Sequence, residues 1–245
     1  MDTKFERTYH RLEEEHFWFR SRRELLSNLL RSVPKNSKIL DVGCSSGILL
    51  DLLRSEGFHA NNLYGIDISN KAVALAKDRG FKNVFVKDAQ NFQLSEKFDV
   101  IIASDCLEHL DYEEMALNTW LRHLNNNGEL LVFVPAFQSL WSHHDVVNHH
   151  KRRYTRSALV GLFDNSACHV SISGYWNSLL FPVIWMLRKI KNLPSSNSSN
   201  ASGDLQRLPP LNSAFYTLLK LEEKWFGRFS FPFGVSAYCI VRKDN

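Results

Sequence analysis

The stretch ILDVGCSSGILL, Ile39 to Leu50, decides the fold. Its first four residues are a short apolar run carrying an acid, Asp41. Gly43 and Gly47 then bracket a turn, and an amphipathic stretch runs from Ile48 to Glu56. A buried strand that turns through glycines into a helix brings backbone close to whatever binds there. The helix N-terminus offers that ligand free N–H groups.

The plan repeats outward. LYGID (63–67) is followed by a helical stretch through Ala72 to Arg79, and NVFVKD (83–88) is a third apolar run. FDVIIAS (98–104) precedes a helix from about Tyr112 to Leu124, and GELLVFVP (128–135) is the fifth run. Short β-branched runs alternating with amphipathic stretches predict βαβ units, and runs apolar on both faces predict a parallel sheet covered by helices. A helix is expected after Thr155, a good N-cap, then strands at 167–176 and 234–243. The expected fold class is α/β: a Rossmann-like, seven-stranded, mostly parallel sheet with helices on both faces. Residues 1–35 form a helical extension, with helix over about 5 to 31 and a stop at Pro34. Residues 36–174 form the core, 175–233 an apolar helical insertion with a mobile linker at 193–210, and 234–245 the last strand and tail.

Bulk properties narrow the function. The 245 residues are enough for one large core, and the net charge of +4 is spread along the chain. Nucleic-acid binding usually concentrates its basic residues in a stripe, so that partner is disfavoured. Cys44, Cys106, Cys168 and Cys239 form no CxxC pair, which predicts buried reduced thiols. The charged N-terminus has no apolar signal region, so a cytoplasmic protein is expected.

Three acids stand at successive strand ends. Asp41 closes the first run, Asp67 the second and Asp88 the third. In open α/β sheets ligands gather at this edge, and an acid at the second strand end accepts hydrogen bonds from ribose hydroxyls. Asp88 is placed to meet an adenine amino group. The alternative is that each acid merely caps a helix. A nicotinamide dinucleotide is the nearest competing ligand, but Gly43-Cys44-Ser45-Ser46-Gly47 lacks the middle glycine of GxGxxG that a pyrophosphate requires.

These segments together resemble the class I S-adenosylmethionine (SAM)-dependent methyltransferases over roughly residues 36–175 plus the final strand. ILDVGCSSG is similar to their first motif, with Ser45 where the middle glycine often stands. YGIDIS, KDAQNF, FDVIIASDCLEHL and NNNGELLVFVPAF resemble the motifs that follow. The resemblance implies SAM as cofactor and S-adenosylhomocysteine as product. It implies that Asp41, Gly43, Cys44 and Gly47 surround the methionine portion and that Asp67 holds the ribose. Ile68 would pack on adenine, Asp88 and Ala89 would reach its edge, and Ser104 would line the sulfonium side. HFWFRSRRELL (16–26), LWSHHDVVNHHKRRYT (140–155), LPPLN (208–212) and FPFGVSAYCIVRK (231–243) resemble a bacterial subgroup often found with cell-surface polysaccharide or lipid-carrier genes. Trp18, Phe19 and Arg22 suggest that the extension lids the pocket, with Arg22 near the methionine carboxylate.

Methyl transfer demands an acceptor positioned near the methyl group, with water excluded, and a base if the acceptor is a hydroxyl. The segment after the fifth strand is rich in suitable groups. His144, His149, His150 and Tyr154 are candidates there, and His109 is a second-site candidate after the fourth strand. Adjacent histidines tend to point apart and no carboxylate-rich motif accompanies them, so no metal is assigned. The expected acceptor is a small organic or lipid-linked molecule, with oxygen favoured. A non-catalytic SAM-binding regulator and a nucleic-acid methyltransferase are the alternatives. YWNSLLFPVIWMLRKIK (175–191) is too short and interrupted to span a bilayer but suits an interfacial helix at the inner membrane face; core or homodimer packing is the other reading.

Overall fold

The structure is a computed structural model that describes residues 13–164, 167–191 and 209–245. Seven strands form one sheet: β1 (Ile39–Val42), β2 (Leu63–Asp67), β3 (Val84–Val86), β4 (Phe98–Ser104), β5 (Leu124–Pro135), β6 (Cys168–Trp176) and β7 (Ser236–Lys243). Their order is β3-β2-β1-β4-β5-β7-β6. β1 to β5 are mutually parallel, and β7 runs antiparallel to both neighbours, β5 and β6. The expected α/β class and the mostly parallel sheet are both present.

Helices cover both faces because the central strands β1, β2, β4 and β5 are apolar on both. With period two, Leu40, Val42, Tyr64, Ile66, Ile101, Ala103, Leu130 and Val132 face one way. They meet Ala116, Leu117 and Trp120 of α4 (Glu113–His123) and Leu159 of α6 (Arg156–Gly161). Ile39, Leu63, Val100, Ile102, Leu131 and Phe133 face the other way. Against them pack α1 (Phe17–Leu29), α2 (Ile48–Ser55) and α3 (Asn70–Asp78), through Leu25, Leu26, Leu50, Leu53, Val73 and Ala76. The extension is therefore part of the core packing. Two later helices, α7 (Phe181–Lys191) and α8 (Pro209–Glu223), complete this side, with Leu180, beside α7, and Leu219 of α8 in the same cluster.

Several boundaries differ from the sequence reading. The histidine-rich segment contains a short helix, α5 (His143–Val147), made by a capping box in which Ser142 and Asp145 satisfy each other's backbone donors. Tyr175 and Trp176, which the sequence placed both in the expected strand 167–176 and in the apolar stretch 175–191, belong to β6. Asn177, at φ +62°, turns the chain before α7 begins at Phe181. α8 starts at Pro209, where a proline's missing N–H costs nothing, inside the span expected to be linker. Residues 1–12 and the low-complexity run 195–204 lie outside the described residues. The four cysteines are free, and all but the half-buried Cys168 are buried.

Gly65 is fixed by contact. A Cβ there, in β2, would stand 2.7 Å from Cys44 Sγ and 3.2 Å from Leu50 Cδ1, so a side chain would push against the β1–α2 turn and α2. Gly65→Ala is expected to lower stability by about 1–3 kcal/mol through overpacking, read as a lower urea midpoint with an unchanged slope.

Candidate active site

Every strand end from β1 to β6 but the antiparallel β7 points to one edge, and the candidate residues collect there. Gly43 and Gly47 adopt φ +78° and +76°, and between them Ser45 takes φ +47°. A non-glycine residue in that region is strained, and here the strain lies in the turn that exposes Gly43. Asp67 braces the turn: one carboxylate oxygen accepts from the Ser45 amide at 2.9 Å, the other from the Ser69 amide at 2.8 Å. Ile68, just beyond, is 75% exposed, an unusual state for an isoleucine between a strand and a helix. Asp88 is exposed and accepts from the Gln90 amide at 2.9 Å. Trp120 Nε1 donates to the Ala89 carbonyl at 2.8 Å and Thr119 to that of Gln90, so α4 pins this loop.

The edge is strongly acidic. Burial, then Glu13 and Asp67, pushes the Asp41 carboxyl up to about 8. Burial raises the Cys106 thiol well above its ordinary value, as do Glu108, Asp67, Asp41 and Asp105. Four carboxylates thus act on one point. Glu13 itself accepts from the Ser45 and Ser46 hydroxyls at 3.0 and 3.3 Å, so residues ahead of α1 lie over the glycine turn.

α1 delivers Arg22 to this edge. The guanidinium donates to Ser104 Oγ at 3.3 Å, Asp105 at 3.4 Å and Ser236 Oγ at 2.6 Å. It lies 5.0, 4.5 and 4.3 Å from the ring centroids of Trp18, Phe133 and Trp176. Burial pulls its pKa down against Asp105 and Glu108, but a guanidinium stays charged. The two residues assigned to the cofactor from distant parts of the chain, Arg22 and Ser104, are therefore in contact.

The histidine-rich segment is a closed excursion. Ala136 and Tyr154 form a bridge at its ends, and Arg153 donates to the Ala136 carbonyl at 2.9 Å. Asp145, fully buried, is its hub. It accepts from Arg153 at 2.8 and 3.0 Å, from His150 Nδ1 at 2.8 Å and from the Ser142 amide at 2.8 Å. Burial alone would raise this carboxyl; the bonds from His150 and Arg153 outweigh it and hold it well below the usual range.

The predicted candidates divide accordingly. His109 and His150 come together, ring centroids 4.6 Å apart and nearly perpendicular. Burial, then His150, holds the His109 imidazole down at about 4, so it is neutral at physiological pH. His144 lies 6.0 Å from His150 and interacts with Asn148, while His149 points to solvent at φ +57°. Tyr154 donates its hydroxyl to Glu113 at 2.6 Å, and burial together with that bond raises its pKa far above the ordinary value. The sequence reading named His109 after β4 and did not name Glu108 as a candidate. Glu108 is fully buried beside His109 and His150, and neither carboxylate oxygen has a hydrogen-bond partner. Asp145, within the histidine segment, is joined in space by Glu108 from the turn after β4.

The model of the methyltransferase domain family matches residues 9–170, and the chain belongs to that family, within the class I SAM-dependent methyltransferases. A mitochondrial ubiquinone biosynthesis O-methyltransferase of Candida albicans is 31% identical over 102 residues, covering 38% of this chain and 31% of that protein. A tRNA (carboxymethyluridine(34)-5-O)-methyltransferase of Arabidopsis thaliana is 35% identical over 111 residues, 44% of this chain and 26% of the relative. The match thus spans a third or less of these curated relatives. A plantazolicin methyltransferase in complex with an analog and SAH superposes with TM-score 0.63 at 16% identity, over 100% of this chain and 92% of the other. That likeness establishes the shared fold.

The Asp41 carboxyl gives a pH signature. Its folded pKa lies above its unfolded one, so the folded state holds the proton more tightly and this group's contribution falls as pH rises from about 4 to 8. Asp41→Asn, a neutral mimic, is expected to be more stable than the parent at pH 8.5 by about 1–3 kcal/mol. The gap should close toward pH 4. Urea unfolding across that range checks it; parallel pH profiles for the two proteins would contradict the raised pKa.

Proposed function

We propose that this chain binds SAM along the β1–β4 edge and transfers its methyl group to a hydroxyl of a small organic or lipid-linked acceptor. The observation that carries the reading is the Gly43–Gly47 turn at the end of β1, which Asp67 braces through the Ser45 amide, with Asp105 beside it at the end of β4. SAM supplies a methyl group on a positively charged sulfur, and such a cation fits an edge of carboxylates. Asp67 would accept from the ribose hydroxyls, exposed Ile68 would cover one face of the adenine, and Asp88 with Ala89 would meet its rim. Gly43, Cys44 and Gly47 would let backbone reach the methionine portion. Arg22 and Ser104 would bound the carboxylate and sulfonium ends, beneath the lid that Glu13 and α1 form.

Oxygen is favoured as acceptor because the same edge carries the Glu108–His109–His150 group, which is built to activate a hydroxyl. The two curated relatives described above are named as O-methyltransferases, in accord with this reading. His144 and His149 would border the acceptor entrance, and Tyr154 would hold the segment in place through Glu113.

A greasy acceptor has support from α7. Val183, Met186 and Leu187, one face by helical spacing, are exposed, as is Trp185 with Lys189 Nζ 5.8 Å from its ring. Trp225, Phe229 and Phe233 are exposed too, whereas Trp176 is buried beside Arg22. No helix among the described residues is long and apolar enough to cross a membrane. Peripheral contact with a cytoplasmic membrane face suits this surface, with a second copy of the chain as the competing occupant.

Two measurements bear on these readings. Asp67→Asn should weaken S-adenosylhomocysteine binding about tenfold by calorimetry; equal affinity would remove the ribose assignment. The parent should co-sediment with anionic liposomes, and Trp185→Ser with Leu187→Ser should reduce the bound fraction severalfold. A parent that stays in solution as a dimer would assign the face to self-association.

A further inference from the structure

Glu108, His109 and His150 each offer one ligand atom, and these atoms lie within 4.8 Å of one another. They come from two segments brought together at one edge: a 3₁₀ turn after β4 (Leu107–His109) and the loop closed by Asp145. Ligand bonds near 2 Å place donors roughly 3–4 Å apart around a single cation, so modest side-chain adjustment would close these three atoms on one.

Three further features separate this cluster from a chance encounter of polar side chains. Each imidazole has one ring nitrogen facing an acceptor. His150 Nδ1 donates to the buried Asp145 carboxylate at 2.8 Å, and the His109 ring lies beside the Asn148 backbone. That leaves the other nitrogen of each ring as a lone-pair donor, the arrangement by which outer groups orient metal-binding histidines. Asp145 is fixed in turn by Arg153, so the carboxylate that aims His150 is unable to swing into the site itself. Finally, both oxygens of Glu108 are buried without a hydrogen-bond partner. A buried polar group left unsatisfied costs about 1–3 kcal/mol, a cost that a bound cation would relieve.

We propose that Glu108, His109 and His150 hold one divalent first-row transition-metal cation, with Asp145 and the Asn148 carbonyl orienting the two imidazoles. Two nitrogens and one carboxylate oxygen suit zinc, iron(II) or manganese and leave coordination positions open. Resting on the methyl-transfer reading, the open position would take the acceptor hydroxyl. The cation would lower the hydroxyl's pKa so that its proton leaves to solvent before the oxygen attacks. Metal binding itself requires neither SAM nor acceptor.

The full chain, stripped with EDTA and dialysed into chelator-free buffer, is titrated with Co²⁺ while visible d–d absorption is followed, and Zn²⁺ is then added as competitor. One equivalent of cobalt, displaced by one of zinc, is expected. Glu108→Gln and His150→Ala should each weaken binding at least tenfold, and Asp145→Asn about tenfold. His143→Ala, altering an exposed neighbour, should bind like the parent. A parent that takes up no cobalt overturns the proposal, as does unchanged affinity in both ligand variants. Should the variants not fold, X-ray absorption of the zinc-loaded parent decides: two histidine nitrogens with oxygen supports the site, and sulfur or all-oxygen ligation overturns it. Calorimetry with S-adenosylhomocysteine on the metal-free chain keeps the two readings apart. Cofactor binding without cobalt binding removes only the cation, whereas cobalt binding without cofactor binding leaves the metal site and removes the methyl-transfer role.

Discussion

The structure depends on the switch in strand order at β1. β1 pairs with β2 on one side and with β4 on the other, so the chain leaves β1 in one direction across the sheet and returns in the other. Helices that diverge from neighbouring strands leave a crevice at the carboxyl edge, and no choice of side chains on a regular parallel run would open one there. Asp67 and Ser104 end β2 and β4 at that edge, and Ser45, Asp88 and Glu108 sit in the turns beyond β1, β3 and β4. Their chemistry differs, yet their placement follows from this single topological fact.

Around the crevice the protein accepts costs that it avoids elsewhere. Among the described residues, six non-glycine positions have positive φ, and Ser45, Asp105, Phe137, His149 and Asn177 directly follow β1, β4, β5 or β6 or lie in the loop beyond β5. Asn127, within β5, is the exception. Carboxylates with raised pKa values, a guanidinium caged by three aromatic rings and a buried glutamate without partners gather at the same edge. Strain and unbalanced charge persist only where surrounding packing is strong enough to hold them, and the two core clusters on either face of the sheet supply that packing.

The peripheral pieces are what distinguish this chain from a bare sheet with helices. α1 contributes Leu25 and Leu26 to the core and Arg22 to the edge with consecutive turns of one helix. α8 packs along it, with Asn212 accepting from the Phe17 amide at 2.9 Å and Tyr216 donating to Glu24 at 2.6 Å. The start and the late insertion of the sequence thus brace one another over the crevice. α7 turns the other way, burying Ile184 against the core cluster while its opposite face remains apolar and exposed.

The sequence by itself determined the sheet, since strands apolar on both faces have nowhere to go but between helices, and the neighbours Leu40 and Ile39 enter opposite clusters. It also marked the glycine turn and Asp67 at the end of β2, because those features are local; Asp41, read as closing its strand, lies inside β1, and Asp88 lies two residues beyond β3. What tertiary structure alone decided was which distant groups meet. Arg22 reaches Ser104 across 82 residues, and Glu108 finds His150 only because the loop beyond β5 folds back on Asp145. Along the chain, His149-His150 lacked a carboxylate-rich motif and Glu108 stood 42 residues away from His150. Burial, which no linear pattern records for a single polar residue, joined them into one group.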